Sequence, residues 1–144
     1  MQNKQKWIAI DFGTKTIGIA ITDYDLKFCL PYTQINNDPK KYQKIWEIIK
    51  EENINKIILG YPKMQNNYVS QRHSLIVEFQ KELNAFLNYK VPIILFDEAY
   101  SSVNAIDSLR QYDIKTSKIR KNKDMLAATI ILENYLQFIK NAKE

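Results

Sequence analysis

Three acids stand where the hydrophobic pattern of the chain changes. Asp11 closes the apolar run Trp7-Ile-Ala-Ile-Asp11, Glu98 follows Pro92-Ile-Ile-Leu-Phe-Asp97, and Asp124 precedes a helix-periodic stretch. Converging carboxylates suit hard cations such as Mg²⁺ or Mn²⁺, which take oxygen ligands and leave positions for water and phosphate. Two such ions about 3.5–4 Å apart can activate an attacking water and stabilise the leaving oxygen in phosphodiester hydrolysis. The acids also have plainer uses: an aspartate ahead of a helix is an N-cap, and Asp97 offers a carboxylate as available as that of Glu98. Asp11 is the hardest to set aside, because Phe12-Gly13-Thr14-Lys15-Thr16 follows directly and Gly18 comes two residues later.

The chain has only three glycines, Gly13, Gly18 and Gly60, and all lie in the first hairpin or at the end of a central strand. That placement is where positive φ or close backbone approach is useful, although any turn can use a glycine. Lys15 in the turn can meet a phosphate or simply face solvent. Between Lys115 and Lys123 lie Lys115, Lys118, Arg120, Lys121 and Lys123 with no acid among them, so this segment carries the entire formal net charge of +5. A nucleic-acid backbone can be held by such lysine, arginine and hydroxyl groups. His73 is the sole histidine and no nucleophile motif surrounds a serine, so a serine–histidine triad is not indicated. Cys29 is the only cysteine, which excludes an internal disulfide and a thiolate zinc site and reads as a small buried hydrophobe.

The elements that must position these groups follow from the period of the apolar residues. Trp7–Asp11 and Ile17–Thr22 read as two strands of an antiparallel hairpin, and Phe28–Ile35 as a third strand that Pro31 places at an edge or a bulge. From Pro39 the period becomes helical, with Tyr42, Ile45, Trp46 and Ile49 on one face. Lys56–Leu59 is a buried strand ending at Gly60, and a second helix from Ser70 to Asn88 presents Leu75, Phe79, Leu83 and Leu87. Pro92–Asp97 is another strand, a helix capped by Ser101 or Ser102 reaches Tyr112, and the last helix carries Ala127, Ala128, Ile131, Leu132, Tyr135 and Ile139. The order β-β-β-α-β-α-β-α-α predicts an α/β fold with a mixed sheet and helices on both faces. In such sheets polar sites gather at the carboxyl ends of the strands.

The length of 144 residues fits one domain over 1–144, and 45% hydrophobic with 26% charged residues is ordinary globular usage. No run approaches the ~18 apolar residues of a membrane span, and no signal-peptide region precedes the first strand, so no membrane partner and a cytoplasmic location are expected.

Four ordered blocks resemble the YqgF-type family of Holliday-junction-resolvase-like proteins. They are Asp11-Phe-Gly-Thr-Lys-Thr-Ile-Gly-Ile-Ala20; Leu59-Gly-Tyr-Pro62; Phe96-Asp-Glu98 with Ser101-Ser102; and Lys123-Asp-Met-Leu-Ala-Ala128 with Ile131-Leu-Glu-Asn-Tyr-Leu136. The resemblance runs from Trp7 to Phe138. It implies a ribonuclease-H-like fold, a nuclease processing the 5′ end of pre-16S ribosomal RNA, and an acidic triad of Asp11, Glu98 and Asp124 binding Mg²⁺ or Mn²⁺. Structured RNA such as the rRNA precursor, or DNA junctions, would be the partners. Ala99 stands where the family commonly has arginine, and the loop Lys63–Tyr68 departs from the family's apolar and glycine pattern. Other classes remain open on these residues: a non-catalytic nucleic-acid-binding module, or an ATPase of the actin-like and sugar-kinase type, whose first phosphate loop Asp11–Gly18 also resembles. The latter needs two lobes, and this chain has room for one.

Overall fold

The computed structural model describes residues 5–61, 71–97 and 123–142, with the side chains of Lys123 and Asp124 outside the description. Five strands form one sheet: β1 (Lys6–Phe12), β2 (Thr16–Thr22), β3 (Cys29–Asn36), β4 (Ile54–Tyr61) and β5 (Ile93–Asp97), in the order β3-β2-β1-β4-β5. β1 pairs antiparallel with β2, as does β2 with β3, while β4 pairs parallel with β1 and β5 parallel with β4. This is the expected mixed sheet, with the hairpins on one side and the helix-connected strands on the other. Pro31 is doubly accommodated, because β3 is an edge strand and its register with β2 shifts between Ile19 and Ala20, beside Pro31.

Strand alternation divides the core into two layers. Ile8, Ile10 and Phe12 of β1, Ile17 and Ile19 of β2, and Ile57 and Leu59 of β4 pack against α1 (Lys41–Glu52) and α2 (Gln71–Phe86). Ala9, Ala20, Cys29, Ile58 and Phe96 face α3 (Lys123–Ala142) through Ala128, Ile131, Leu132 and Tyr135. The strand residues facing α3 include two alanines, so this helix can lie close to the sheet. Helices therefore cover both faces, as the element order implied. Cys29 is fully buried, and burial pushes its thiol well above the ordinary range, which leaves it inert.

The helices differ from the sequence reading in detail. α2 buries Ile76, Phe79 and Leu83, whereas Leu75 is 43% exposed. Phe79, Leu83 and Leu87 are buried as expected, but Ile76 takes the core position expected of Leu75, which turns toward a cleft. Lys123, the last residue of the basic segment, opens α3, and Asp124, expected ahead of this helix, is its second residue. The expected helix from Ser101 to Tyr112, Ala99 and the loop Lys63–Tyr68 lie outside the described residues. No helix among the described residues is long and apolar enough to cross a membrane.

Candidate active site

β1, β4 and β5 run parallel, so their carboxyl ends share one edge of the sheet, and Asp11 is the penultimate residue of β1 at that edge. It has the parity of Ala9 and therefore belongs to the face covered by α3. Its register partner on β2 is Gly18. Phe12, of opposite parity, packs against Phe79 of α2 with tilted rings whose centroids are 4.5 Å apart, which anchors the strand end from the other face. Asp11 is 7% exposed, an unusual degree of burial for a carboxylate. Part of its compensation comes from Arg72 in the first turn of α2, whose guanidinium lies 3.5 Å from Oδ1.

The turn after β1 is held by a small network. The Gly13 amide donates to the Thr16 carbonyl at 3.0 Å, the Asn37 amide donates to the Lys15 carbonyl at 2.9 Å, and Asn37 Nδ2 donates to the Gly13 carbonyl at 2.8 Å. None of the glycines has positive φ, contrary to one of the two roles expected of them. The other role holds at Gly13, where a Cβ would stand 2.4 Å from the Thr16 carbonyl oxygen. Glycine is needed here because the turn folds back on itself. Thr14 and Lys15 are exposed at its tip.

Two clefts meet at Asp11. One, of about 470 Å³, is lined by Asp11, the turn residues Phe12 to Thr16, Arg72 and Leu75. The second, of about 320 Å³, is lined by Asp11, Arg72 and Phe96 with Ala127, Ile130, Ile131 and Asn134 of α3. Lys15 lines the same cleft as Asp11 and is exposed to solvent. Asp97 ends β5 with the parity of Ile93 and Leu95, which pack toward α1 and α2, so it lies on the face opposite Asp11. Glu98, Lys115, Lys118, Arg120 and Lys121 lie outside the described residues, as do the side chains of Lys123 and Asp124. Among the described residues no three of His, Cys, Asp or Glu converge. The donor types around the cleft, the Asp11 carboxylate and the Asn134 carboxamide, are oxygen ligands that a hard divalent cation accepts.

Arg72, Asn134 and Asn37 were not singled out from the sequence. Arg72 heads the stripe Arg72-Ile76-Phe79-Leu83 at i, i+4, i+7 and i+11, and Asn134 continues Ala127-Ile131 at helical spacing and is buried. A charged or amide side chain on an otherwise apolar stripe is the signal that finds both. Nothing local distinguishes Asn37. His73, the sole histidine, is half-buried edge-on against Tyr61 at 5.4 Å between centroids.

The family model described as RuvX, Holliday junction resolvase, matches residues 5–138. The chain belongs to this family. Among its relatives, a protein of Malacoplasma penetrans named "Putative pre-16S rRNA nuclease" is 54% identical over 94% of this chain and 97% of its own length. A protein of the same name from Desulfitobacterium hafniense is 31% identical over 92% of each chain. Two of the similar solved structures are resolvases. Thermus thermophilus RuvC in complex with a Holliday junction substrate has a TM-score of 0.59 at 13% identity, over 93% of this chain and 96% of that one. The yeast mitochondrial Holliday junction resolvase Ydc2 has a TM-score of 0.58 at 11% identity, over 99% of this chain and 82% of that one. These RuvX-family and resolvase likenesses give the described sheet its fold class: it is ribonuclease-H-like.

Proposed function

We propose that the protein is a single-domain, metal-dependent nuclease that hydrolyses phosphodiester bonds, with the 5′ end of the cytoplasmic pre-16S rRNA as its substrate. The observation that carries this reading is the nearly buried Asp11 carboxylate at the carboxyl edge of a ribonuclease-H-like sheet, where two clefts meet. Asp11, Glu98 and Asp124 would hold Mg²⁺ or Mn²⁺. Two ions would supply a water activated for attack and a charge that stabilises the leaving oxygen. Two features support the choice of acids. Asp97, the competitor of Glu98, lies on the face opposite Asp11, and Asp124 stands three residues ahead of Ala127, which lines the cleft on α3. The chain's own residues do the positioning. Asp11 is fixed by the Phe12–Phe79 contact, Lys15 offers a cation to a backbone phosphate, and the segment Lys115, Lys118, Arg120, Lys121 and Lys123 adds the charge that retains the strand. RNA is favoured by the names of the RuvX-family relatives, and DNA junctions by the solved structures.

The test offers purified protein and Asp11→Asn a 5′-extended 16S precursor and a synthetic four-way DNA junction, with Mg²⁺ or Mn²⁺. Cleavage of the precursor by the wild type, lowered at least a hundredfold in Asp11→Asn, is expected. Cleavage of the junction alone would shift the substrate to DNA. Salt-dependent binding of both without cleavage of either would make the protein a non-catalytic module.

A further inference from the structure

Arg72 is shared by the two clefts that meet at Asp11. Its side chain is 51% exposed while that of Asp11 is 9% exposed, so the guanidinium reaches inward from solvent to an almost enclosed carboxylate. A carboxylate this buried needs a positive neighbour. At 3.5 Å the contact is an ion pair, and a divalent cation, with twice the charge of the guanidinium, is the stronger partner for a carboxylate. A divalent cation on the Asp11 carboxylate and the guanidinium of Arg72 carry the same sign and compete for the same oxygens. Beside Arg72, the larger cleft presents Thr14 and Lys15 at its exposed rim. A guanidinium released there is a planar fork suited to two phosphate oxygens.

We infer that Arg72 is an exchangeable counter-ion. It holds Asp11, yields that carboxylate to the divalent cation, and then grips a backbone phosphate in the cleft lined by Gly13, Thr14, Lys15 and Thr16. The inference rests on the metal site of the preceding section and adds a residue that couples cation binding to substrate binding.

Two measurements on the full chain separate the parts. Mn²⁺ is titrated by calorimetry into wild type, Asp11→Asn, Arg72→Met and Arg72→Lys, with thermal melts confirming that each is folded. Binding of a stem-loop RNA is then followed against salt concentration in Ca²⁺, which takes the same oxygen ligands. Wild type binds Mn²⁺ and Asp11→Asn loses the site. Arg72→Met binds Mn²⁺ roughly three- to tenfold more tightly, and the slope of log K against log salt falls by about 0.7–0.9, the value of one phosphate contact. Arg72→Lys recovers the slope, because it restores the charge on a similar stem. An unchanged or weaker Mn²⁺ affinity in Arg72→Met overturns the inference, as does a wild-type slope in that variant or a slope in Arg72→Lys that matches it; the metal site then still stands. Equal Mn²⁺ binding by wild type and Asp11→Asn overturns the metal site itself, and the inference with it.

Discussion

Gly13 shows how little freedom the turn beside Asp11 has. A Cβ there would lie 2.4 Å from the Thr16 carbonyl oxygen, a backbone atom that cannot rotate away. Gly13→Ala is therefore expected to destabilise the protein by about 1–3 kcal/mol and to displace Thr14 and Lys15. Urea unfolding measures the first effect, and an unchanged midpoint at equal slope would show that the turn yields freely. At this scale the sequence was partly legible. Asp11 and Lys15 could be picked out as candidates because an acid at the end of an apolar strand and a lysine in a glycine turn are locally conspicuous. Arg72 could not, because it is 61 residues from Asp11 in the chain and only the return of α2 to the sheet edge makes them neighbours. Asn37 was hidden for the same reason, since its bond to Gly13 is made across the end of β3.

Between elements, Glu52 at the end of α1 ties three pieces together. Lys6 Nζ of β1 donates to its Oε1 at 2.8 Å, and the Tyr32 hydroxyl of β3 donates to its Oε2 at 3.1 Å. The Lys6 bond first, and the Tyr32 bond after it, hold the Glu52 carboxyl below its ordinary value of 4.5, while Glu52 raises Lys6 above 10.5. A carboxylate with a lowered folded pKa contributes stability above its unfolded value and loses it as pH falls through the folded one. Lys6 mirrors this: its contribution is complete below 10.5 and fades as pH climbs past its raised value. The stability difference between wild type and Glu52→Gln should thus be constant between about pH 5 and 10 and shrink below pH 4.5. Urea titrations at pH 7 and pH 3.5 check this, and an equal difference at both would contradict it. Elements were legible wherever periodicity was strong, as in β1, β2, α1 and the stripe of α3. In α2 a single position differs, Ile76 in place of Leu75, because both are apolar and a helical period cannot choose between adjacent candidates when the cleft that receives Leu75 is unknown.

For the whole molecule, element order carried most of the information. A hairpin pair followed by strands returning through helices admits few sheets, and short connections with right-handed crossovers lead to β3-β2-β1-β4-β5. The order also puts the ends of β1, β4 and β5 on one edge, the edge at which Asp11 lies. Composition located the charge surplus between Lys115 and Lys123 but not its place relative to the clefts, because charge patterning carries no distance information. The central claim, that this edge binds divalent metal through Asp11, Glu98 and Asp124, is tested most directly by a crystal structure of the full chain grown with Mn²⁺. The predicted result is anomalous density coordinated by the Asp11 carboxylate and shared with Glu98 and Asp124. Saturating Mn²⁺ with no density at Asp11, and Arg72 still paired to it, would contradict the claim.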